Sequence, residues 1–583
     1  MNAHDLPMTS AASDTPAAED GGELLLQAFC DLGIDYIISS PGSEWPPLWE
    51  ALARQRRDGL PGPTYVDCGH ETLAVGIAAG IAQVTGRMQA VLLHAGPGLS
   101  QGAMAIGSAR DLEVPMLVMS GESATYGENG FDPGAQWYRN LSVVGGQQRL
   151  IEPLVKWAQL VPSHETLYGC VVRAGEMAQR TPKGPVYLSV SMDAMLQKCV
   201  APTKRQRARE TPRLRPAQAD IDAIAQLLAR ARSPLIAVQN PGGDVAAYHA
   251  LLDLAEALCI PVTEAPGGYF SNFPKSHELY LGVGRQPQEA DCDLLLVVEN
   301  ATPWYPPSNF PQGLPIVAIA ANVLKPHLVY QRLGATHYLE GDVASTLQLL
   351  ADGARGHGVA QPILEARLQR SRKLHDEWVG KQAEVRKRAR EVATITVPLL
   401  IETLQRLLPA DAAYVDETIV HRPHIRENLH WDTPQVYFRS PTGLGQGVAY
   451  ALGVKQAAPH RPVVMLIGDG TFMYNPVVPA LAYADEHRLP LLVVILNNLK
   501  YAVMQELHDR FFPAGTAKKE DDYYGVHLHD THYERTAAIV DGFGCRIDRP
   551  EQLEPAIRQA LDALTRGKSA ILNVYMPDAV AFK

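Results

Sequence analysis

Short, wholly apolar segments alternate along the chain with longer segments in which apolar and polar residues are mixed. In the first region, from Gly22 to about Met192, apolar segments lie at 36–38, 90–93 and 115–119. A strand without polar positions is covered on both faces, and helices between such strands imply that the strands run parallel. The pattern predicts an α/β layer domain.

Two further regions show the same alternation. The second follows a polar, basic and proline-containing stretch at 203–216. Its predicted strands lie at 235–238, 294–298 and 316–319. A charged segment from Glu365 to Ala389 carries no strand pattern and is predicted to be a connecting helix. The third region begins near Val397.

A chain of 583 residues is longer than one hydrophobic core supports, so several domains are expected. The pattern predicts an α/β protein with three doubly wound parallel-sheet domains. The predicted organisation is a mobile tail at 1–21, domains at 22–195, 213–353 and 393–583, and a helical linker at 354–392.

Composition narrows the class of protein. Hydrophobic residues make up 46% and charged residues 20%, as in globular proteins, and the net charge of −11 argues against a nucleic-acid partner. The seven cysteines are scattered without a CxxC pair, which predicts reduced thiols and a cytoplasmic location. The tail lacks the basic start and apolar core of a signal peptide, and no apolar run is long enough to span a membrane.

Two apolar runs of the third region each stop at a small polar cluster. Residues 463–467 precede Gly468-Asp469-Gly470, and residues 491–496 precede Asn497-Asn498. Because ligands sit at the carboxyl ends of parallel strands, both clusters are expected to converge on one edge. Glycines let backbone N–H groups approach an anion closely, and the oxygens of Asp469 and Asn498 suit Mg²⁺.

The alternative is that Asp469-Gly470 marks a hairpin turn and Asn497-Asn498 a loop. A hairpin needs a strand directly after Gly470. Instead, Asn475-Pro476 is predicted to be a helix N-cap followed by proline at the first helical position. The turn interpretation is thereby weakened and stays open.

GDG, 26 residues and then NN is a pattern that resembles the metal-diphosphate motif of thiamine-diphosphate enzymes. The resemblance implies a Mg²⁺ ion held by Asp469, by the side chain of Asn498 and by the backbone carbonyl of Lys500. It also implies that the diphosphate lies against Gly468, Gly470 and Thr471. The three predicted domains then correspond to a pyrimidine-binding, a central and a diphosphate-binding domain.

Two further segments resemble the same family. The stretch YVDCGHETLAVG, from Tyr65, is similar to the pyrimidine-binding segment, and Glu71 occupies the position of the glutamate that activates the aminopyrimidine ring. The stretch SPTGLGQGVAYALG, from Ser440, is similar to the segment that holds the cofactor bent, with Leu444 as the supporting side chain. The alternatives are a helix N-terminal charge for Glu71 and an ordinary core position for Leu444.

The resemblance is closest in places to the benzoylformate decarboxylase branch. It implies that Ser43, in the turn Pro41-Gly42-Ser43, contacts the substrate, and that His94 carries a proton. His277 lies near the position of a second catalytic histidine. A plain turn serine and structural histidines are the alternatives.

The implied function is decarboxylation of a 2-oxo acid, carboligation with an aldehyde, or both, through an enamine intermediate. An acetolactate synthase-like or benzaldehyde lyase-like enzyme is the nearest alternative, and a non-catalytic thiamine-diphosphate-binding regulator is the alternative of another class. The resemblance implies a homodimer or homotetramer with active sites at the subunit interface. Flavin is not expected, because ENATPWYPPSN at 299–309 departs from the pattern of flavin-binding acetolactate synthases. A separate departure is the segment 506–530, which is longer than the decarboxylase pattern.

Overall fold

A computed structural model describes residues 18, 20–122, 132, 134, 141–199 and 211–576. Its strands form three sheets of six strands each, and all of the strand pairs described in them are parallel. The predicted α/β class with three parallel-sheet domains is confirmed.

The first domain carries its sheet in the middle and helices on both faces. Its strands are β1 (Tyr36–Ser40), β2 (Thr64–Asp67), β3 (Gln89–Leu93), β4 (Met116–Glu122), β5 (Trp157–Leu160) and β6 (Pro185–Ser191). Its helices are α1 (Gly21–Asp31), α2 (Pro46–Arg57), α3 (Glu71–Thr85), α4 (Gly96–Asp111), α5 (Gln147–Ile151), α6 (His164–Gln179) and α7 (Met192–Met195). The strand order is β2-β1-β3-β4-β6-β5. Every position of β3 is buried, which is why residues 90–93 are apolar without alternation.

The central domain has the same layered construction. Its strands are β7 (Pro234–Val238), β8 (Val262–Glu264), β9 (Tyr280–Val283), β10 (Leu294–Val298), β11 (Ile316–Ala320) and β12 (His337–Glu340), in the order β12-β11-β10-β7-β8-β9. Its longer helices are α8 (Gln218–Arg230), α9 (Val245–Leu258) and α10 (Val343–His357). The charged segment that follows forms one helix, α11 (Gln361–Glu391). Arg367 anchors this helix, because its buried guanidinium donates to the carbonyls of Leu258, Leu228 and Ala231.

The third domain repeats the topology of the first. Its strands are β13 (Ala413–Glu417), β14 (Tyr437–Arg439), β15 (Val463–Gly468), β16 (Leu492–Asn497), β17 (Phe543–Ile547) and β18 (Ala570–Tyr575). Its helices are α12 (Val397–Leu407), α13 (Arg422–Asn428), α14 (Gly447–Ala457), α15 (Asp469–Tyr474), α16 (Val477–Glu486), α17 (Ala502–Phe511), α18 (Thr516–Glu520) and α19 (Leu553–Thr565). The strand order β14-β13-β15-β16-β18-β17 matches that of the first sheet position by position.

The hairpin alternative for Gly468-Asp469-Gly470 is wrong. The chain enters helix α15 at Asp469, and β15 pairs with β16 in parallel. The predicted N-cap at Asn475 is also wrong, because α16 begins at Val477 and the side chain of Asn475 bonds elsewhere, to Glu417 and to the backbone N–H of Val448. The prediction relied on a local pattern, a short polar side chain before proline. The long-range hydrogen bonds of the Asn475 side chain outweigh that pattern.

Most of the predicted tail at 1–21 and part of the stretch at 203–216 lie outside the described residues, so the predicted domain boundaries stay predictions. Asp20 caps α1 by accepting from the backbone N–H of Glu23, and Gly21 is the first residue of that helix. All seven cysteines are free thiols. Within the described ranges, no helix combines the length and the apolar character needed to cross a membrane.

The first and third domains contact each other through α3 and α14, which occupy equivalent positions in the two sheets. Glycines allow this contact: a Cβ at Gly80 would lie 2.4 Å from the carbonyl oxygen of Tyr450, and one at Gly453 would lie 2.2 Å from that of Ile77. The two helices therefore meet backbone to backbone. The apolar core is continuous across this contact.

We expect Gly80→Ala to lower the stability of the protein, although alanine is the better helix former. The added methyl group meets main-chain atoms of α14, which cannot move without shifting the helix, and overpacking of this kind costs about 1–3 kcal/mol. Gly169→Ala in α6 is the matched control, because a Cβ there meets no atom within 4 Å. That change should stabilise by up to about 1 kcal/mol. Thermal unfolding under identical conditions tests the pair; equal shifts would contradict the close-approach account.

Candidate active site

Three side chains of the first domain lie at the carboxyl ends of neighbouring strands. Two of them, Glu71 and His94, are predicted site residues, and the third, Glu44, follows the predicted Ser43. Glu44 lies in the turn after β1, Glu71 begins α3 after β2, and His94 directly follows β3. Because β1 pairs in parallel with both β2 and β3, these three strand ends lie at one edge of the sheet.

His94 is held by a buried carboxylate. Its Nδ1 lies 3.0 Å from Oε2 and 2.9 Å from Oε1 of Glu44, whose side chain is fully buried, whereas 26% of the His94 side chain is exposed. The hydrogen bond that His94 donates to Glu44 raises the pKa of His94, burial opposes this, and the negative charges of Glu44 and Glu71 add to the rise. The net effect shifts His94 toward its protonated form relative to an unperturbed imidazole.

Two glycines make room for this cluster. A Cβ at Gly42 would lie 1.8 Å from Nδ1 of His94 and 2.1 Å from Oε2 of Glu44. A Cβ at Gly98, in the first turn of α4, would lie 2.7 Å from Cβ of His94 and 2.9 Å from Oε1 of Glu71. Gly98 therefore touches both His94 and Glu71, and the structure brings these two predicted residues together.

Ser43 and His277 have different surroundings. Ser43 is exposed in the turn beside Glu44, at the same strand-end edge as His94. His277 lies in the central domain, where its Nε2 donates to Oε1 of Glu256 at 3.1 Å and its Nδ1 accepts from the backbone N–H of Leu279. Both of its ring nitrogens are thus engaged within that domain, a geometry that favours a structural histidine. Catalytic roles for both residues stay predictions.

The structure brings the three predicted metal ligands of the third domain together. Oδ1 of Asp469 accepts from the backbone N–H of Gly470 at 2.9 Å, and Oδ1 of Asn498 accepts from the backbone N–H of Lys500 at 3.2 Å. The backbone N–H groups of Asn498 and Leu499 also act on the Asp469 carboxyl, so the loop after β16 faces the start of α15.

The carbonyl of Lys500 points to the same side as Asn498. Lys500 forms an antiparallel bridge with His527 in which the bonds are made by the flanking residues: Tyr501 N–H donates to the Val526 carbonyl and Leu528 N–H to that of Leu499, both at 2.8 Å. In such a non-hydrogen-bonded pair, the N–H and C=O of the central residue both point away from the partner strand. Since the N–H of Lys500 reaches Asn498, its carbonyl is directed to that side too.

These residues fit a Mg²⁺ ion bound to a diphosphate. Oδ2 of Asp469 is buried and has no hydrogen-bond partner, and burial raises the pKa of this carboxyl to about 6. A cation would supply the missing partner. Carboxylate, amide and carbonyl oxygens are the ligands that Mg²⁺ prefers, with phosphate oxygens and water completing the shell. In the described part of the chain, no cluster of three acidic, histidine or cysteine side chains could hold a metal ion.

Small residues shape the surroundings of Asp469. A Cβ at Gly470 would lie 2.4 Å from the ring of Tyr501, so this position requires glycine. Gly468 precedes α15, and the side chain of Thr471 is buried in its first turn. The predicted diphosphate contacts Gly468, Gly470 and Thr471 thus lie around the start of one short helix.

Leu444 lines a cavity of about 420 Å³ between the first and third domains. Residues on either side of Glu71, His70 and Thr72, form one wall, and Leu444 and Tyr474 contribute to the other. Leu444 is half-buried, so the alternative of an ordinary core position is not favoured. Its predicted role as support for the cofactor stays a prediction.

Glu417 is a site residue that sequence reasoning missed. It ends β13 and is buried; Oε1 accepts from the backbone N–H of Gln446 at 2.8 Å and Oε2 from Nδ2 of Asn475 at 2.7 Å. Burial raises its pKa to about 7. The signal was available, because Asp416 and Glu417 follow the short apolar run at 412–415, much as Gly468 and Asp469 follow the run at 463–467. Glu44 was missed likewise, although it directly follows the predicted Ser43.

A second cavity, of about 550 Å³, lies between the first and central domains at the carboxyl ends of β7, β10 and β11. Open α/β sheets bind ligands at such edges. Two lysines line it: Lys183 is exposed, and Lys325 is already paired with Glu113 at 2.8 Å and lies 4.0 Å from Glu299. The cavity therefore offers no unpaired buried lysine to a phosphate, and the expectation that no flavin is bound stays a prediction.

Family models describe the same three regions of the chain. The N-terminal TPP binding domain of thiamine pyrophosphate enzymes matches residues 19–145, the central domain matches 221–350, and the C-terminal TPP binding domain matches 423–574. The chain belongs to the thiamine pyrophosphate enzyme family. The predicted membership is confirmed.

Relatives of this family member extend along its whole length. Benzoylformate decarboxylase of Pseudomonas aeruginosa is 28% identical over 555 residues, 91% of this chain and 94% of that protein. The large subunit of acetolactate synthase isozyme 3 of Escherichia coli is 25% identical over 568 residues, 95% and 94% of the two chains. The solved structure of a 4-hydroxybenzoylformate decarboxylase from Rhodococcus jostii RHA1 superposes with a TM-score of 0.75 at 22% identity, covering 96% of this chain and 99% of that one. This chain is a thiamine-diphosphate-dependent lyase or transferase of the decarboxylase or acetolactate-synthase type.

Asp469→Asn should stabilise the cofactor-free protein while abolishing its response to the cofactor. Because the pKa of Asp469 is raised to about 6 from 3.8, the folded protein holds more protons than the unfolded chain between these values, so stability falls as pH rises through that window. The amide removes this cost, and the gain should be on the order of 1–3 kcal/mol at pH 8 and smaller at pH 5.

The measurement is unfolding of the cofactor-free protein at both pH values, followed by the thermal shift on adding thiamine diphosphate and Mg²⁺. Asp376→Asn on the exposed face of α11 is the matched control and should change neither. A full cofactor-induced shift in Asp469→Asn would remove Asp469 from the metal site.

Proposed function

We propose that this enzyme decarboxylates a 2-oxo acid, using thiamine diphosphate and Mg²⁺, and protonates the product to release an aldehyde. The observation that carries the proposal is the position of His94, a histidine with a raised pKa that is adjacent to Glu71 at the carboxyl edge of the first sheet. A protonated imidazole beside the residue assigned to the cofactor suits a reaction that ends in proton delivery.

The third domain would hold the cofactor. Asp469, Asn498 and the carbonyl of Lys500 bind Mg²⁺, the backbone around Gly470 faces the diphosphate, and Leu444 supports the bent cofactor. The unpartnered carboxyl oxygen of Asp469 supports this assignment. When bound, thiamine diphosphate supplies the electron sink that lets the carboxylate of a 2-oxo acid leave as CO₂.

The first domain would handle protons and substrate. Glu71 would hydrogen-bond the aminopyrimidine ring by donating from its carboxyl group to a ring nitrogen, and would thereby set the protonation of the ring. Ser43, exposed at the same edge, donates a hydrogen bond to the substrate carboxylate, and His94 delivers a proton from Nε2. His277 is the weakest assignment, since both of its nitrogens are engaged elsewhere.

A carboligase is the second candidate. The similarity to the acetolactate synthase subunit over 95% of this chain supports it, because the two reactions share their first half and differ in whether a proton or a second carbonyl compound is taken up. The substrates in either case are small 2-oxo acids and aldehydes.

A panel of 2-oxo acids that includes benzoylformate and pyruvate tests the function. We expect CO₂ release from at least one member in the presence of thiamine diphosphate and Mg²⁺, and aldehyde as the product when no second carbonyl compound is added. Glu71→Gln should bind the cofactor, as judged by thermal shift, but lose roughly 10²- to 10⁴-fold in turnover. An enzyme that binds the cofactor and releases no CO₂ from any of these acids would refute the proposal.

We infer that a second copy of the chain completes the proposed site. Among the described residues, no hydrogen bond or ion pair links Glu71 to the loops of Asp469 and Asn498, and exposed apolar side chains surround those loops. They include Met473, Tyr474, Val478, Met504 and Leu507. We infer a symmetric dimer, or a tetramer built from it, in which Glu71 of one copy serves Asp469 of the other.

Mixing two inactive variants tests the shared site. Glu71→Gln and Asp469→Ala should each be inactive, whereas a hybrid dimer contains one site with both native residues. After subunit exchange, about half of the dimers are hybrids, so up to about a quarter of the wild-type activity should return. No recovery in mixtures whose exchange is verified by mass spectrometry would contradict the arrangement.

A further inference from the structure

Glu44 is a fully buried acidic side chain near the proposed site, and neighbouring residues leave space for it. A Cβ at Gly121, in β4, would lie 2.2 Å from Cβ of Glu44, so this glycine leaves the space that the Glu44 side chain occupies. The neighbouring Trp45 is buried and its Nε1 donates to the carbonyl of Leu93 at 3.0 Å. The residue after Glu44 is thus tied to the residue before His94.

The same contacts fix the backbone of His94. Its N–H donates to the carbonyl of Ser40 at 3.1 Å, at the end of β1. With Trp45 bonded to Leu93, two bonds outside the imidazole hold the turn after β1 against the end of β3. Glu44 therefore meets His94 in a geometry that neither side chain has to establish alone.

Burial of a carboxylate is costly unless a partner compensates, and an amide or apolar side chain at this position would avoid the cost. The compensation includes the ring of His94, which lies within 3.0 Å of both carboxylate oxygens. Because a carboxylate only accepts hydrogen bonds, it selects the form of His94 with a proton on Nδ1. The second ring nitrogen, Nε2, is then the one left to exchange a proton with the substrate.

We propose that Glu44 is the positioning residue of His94: it fixes the imidazole through Nδ1 and holds the ring protonated, so that Nε2 delivers the proton that completes decarboxylation. This inference rests on the proposed function and adds a residue to it. In the step concerned, loss of CO₂ leaves an electron pair on the former carbonyl carbon. The Nε2–H bond breaks, a C–H bond forms with that electron pair, and the neutral ring takes its next proton from water.

The pH dependence follows from the groups that face His94. Glu44 in the turn after β1 and Glu71 at the start of α3 are the acidic groups that act on the ring, and the adjoining first turn of α4, Gly96-Pro97-Gly98, has no titratable side chain. Removing the charge of Glu44 leaves Glu71 as the remaining source of the raised pKa. The pKa of His94 should then be lower, so the protonated fraction of His94 should fall more at alkaline pH than at acidic pH.

The test compares Glu44→Gln, which keeps shape and loses charge, with Glu44→Asp, which keeps charge and shortens the reach. Glu50→Gln, on the exposed face of α2, is the matched control. The first measurement is the titration of the His94 imidazole by NMR in the holoenzyme, assigned by comparison with His94→Gln. The second is the pH profile of kcat for the 2-oxo acid that the panel identifies.

In Glu44→Gln the His94 titration midpoint should move to lower pH, and kcat should fall roughly tenfold at pH 8 with a smaller loss at pH 6. Glu44→Asp should restore part of the profile, and Glu50→Gln should match the wild type. An unchanged midpoint in a folded Glu44→Gln variant would overturn the proposal, as would an equal loss of kcat at every pH. Because the NMR titration needs no substrate, it decides the role of Glu44 even if the proposed reaction fails.

Discussion

The contact between α3 and α14 determines how the two cofactor-binding domains of one chain lie relative to each other. Glu71 is the first residue of α3, and Gly447 is the first residue of α14, just after the segment that carries Leu444. Glycines bring the two helix backbones together. A larger side chain at these positions would overlap main-chain atoms of the facing helix and would push the two domains apart. The size of the cavity lined by Leu444 and by the neighbours of Glu71 therefore depends on this contact between the helices.

Repetition of one topology places titratable side chains at corresponding strand ends in the two domains. In the first sheet, Glu44 and His94 follow β1 and β3; in the third, Glu417 ends β13 and Asp469 follows β15, the strands that hold the same places. Each pair is at the edge where parallel strands present their carboxyl ends. The groups proposed for proton transfer and those proposed for metal binding therefore occupy corresponding edges of the two sheets.

Much of this arrangement could be predicted from the sequence because it depends on local patterns. Buried parallel strands are apolar throughout, so β3, β10 and β15 were evident, and the polar residues that follow an apolar run mark the ligand edge. The pairings of Glu44 with His94 and of Glu417 with Asn475 could not be predicted, because they join residues 50 and 58 positions apart in the chain. The mistaken N-cap at Asn475 has the same origin: a local preference was overruled by a distant partner.

The bridge between Lys500 and His527 gives the long segment after β16 a fixed beginning and end. The chain leaves the loop after β16 at Tyr501, forms α17 and α18, and returns to pair with the same loop at Val526 and Leu528. Main-chain hydrogen bonds hold the two ends together, and these bonds do not depend on which side chains are present. Such an excursion can change in length and sequence between its ends without moving the loop that carries Asn498 and Lys500, because the bonds that fix that loop lie outside the excursion.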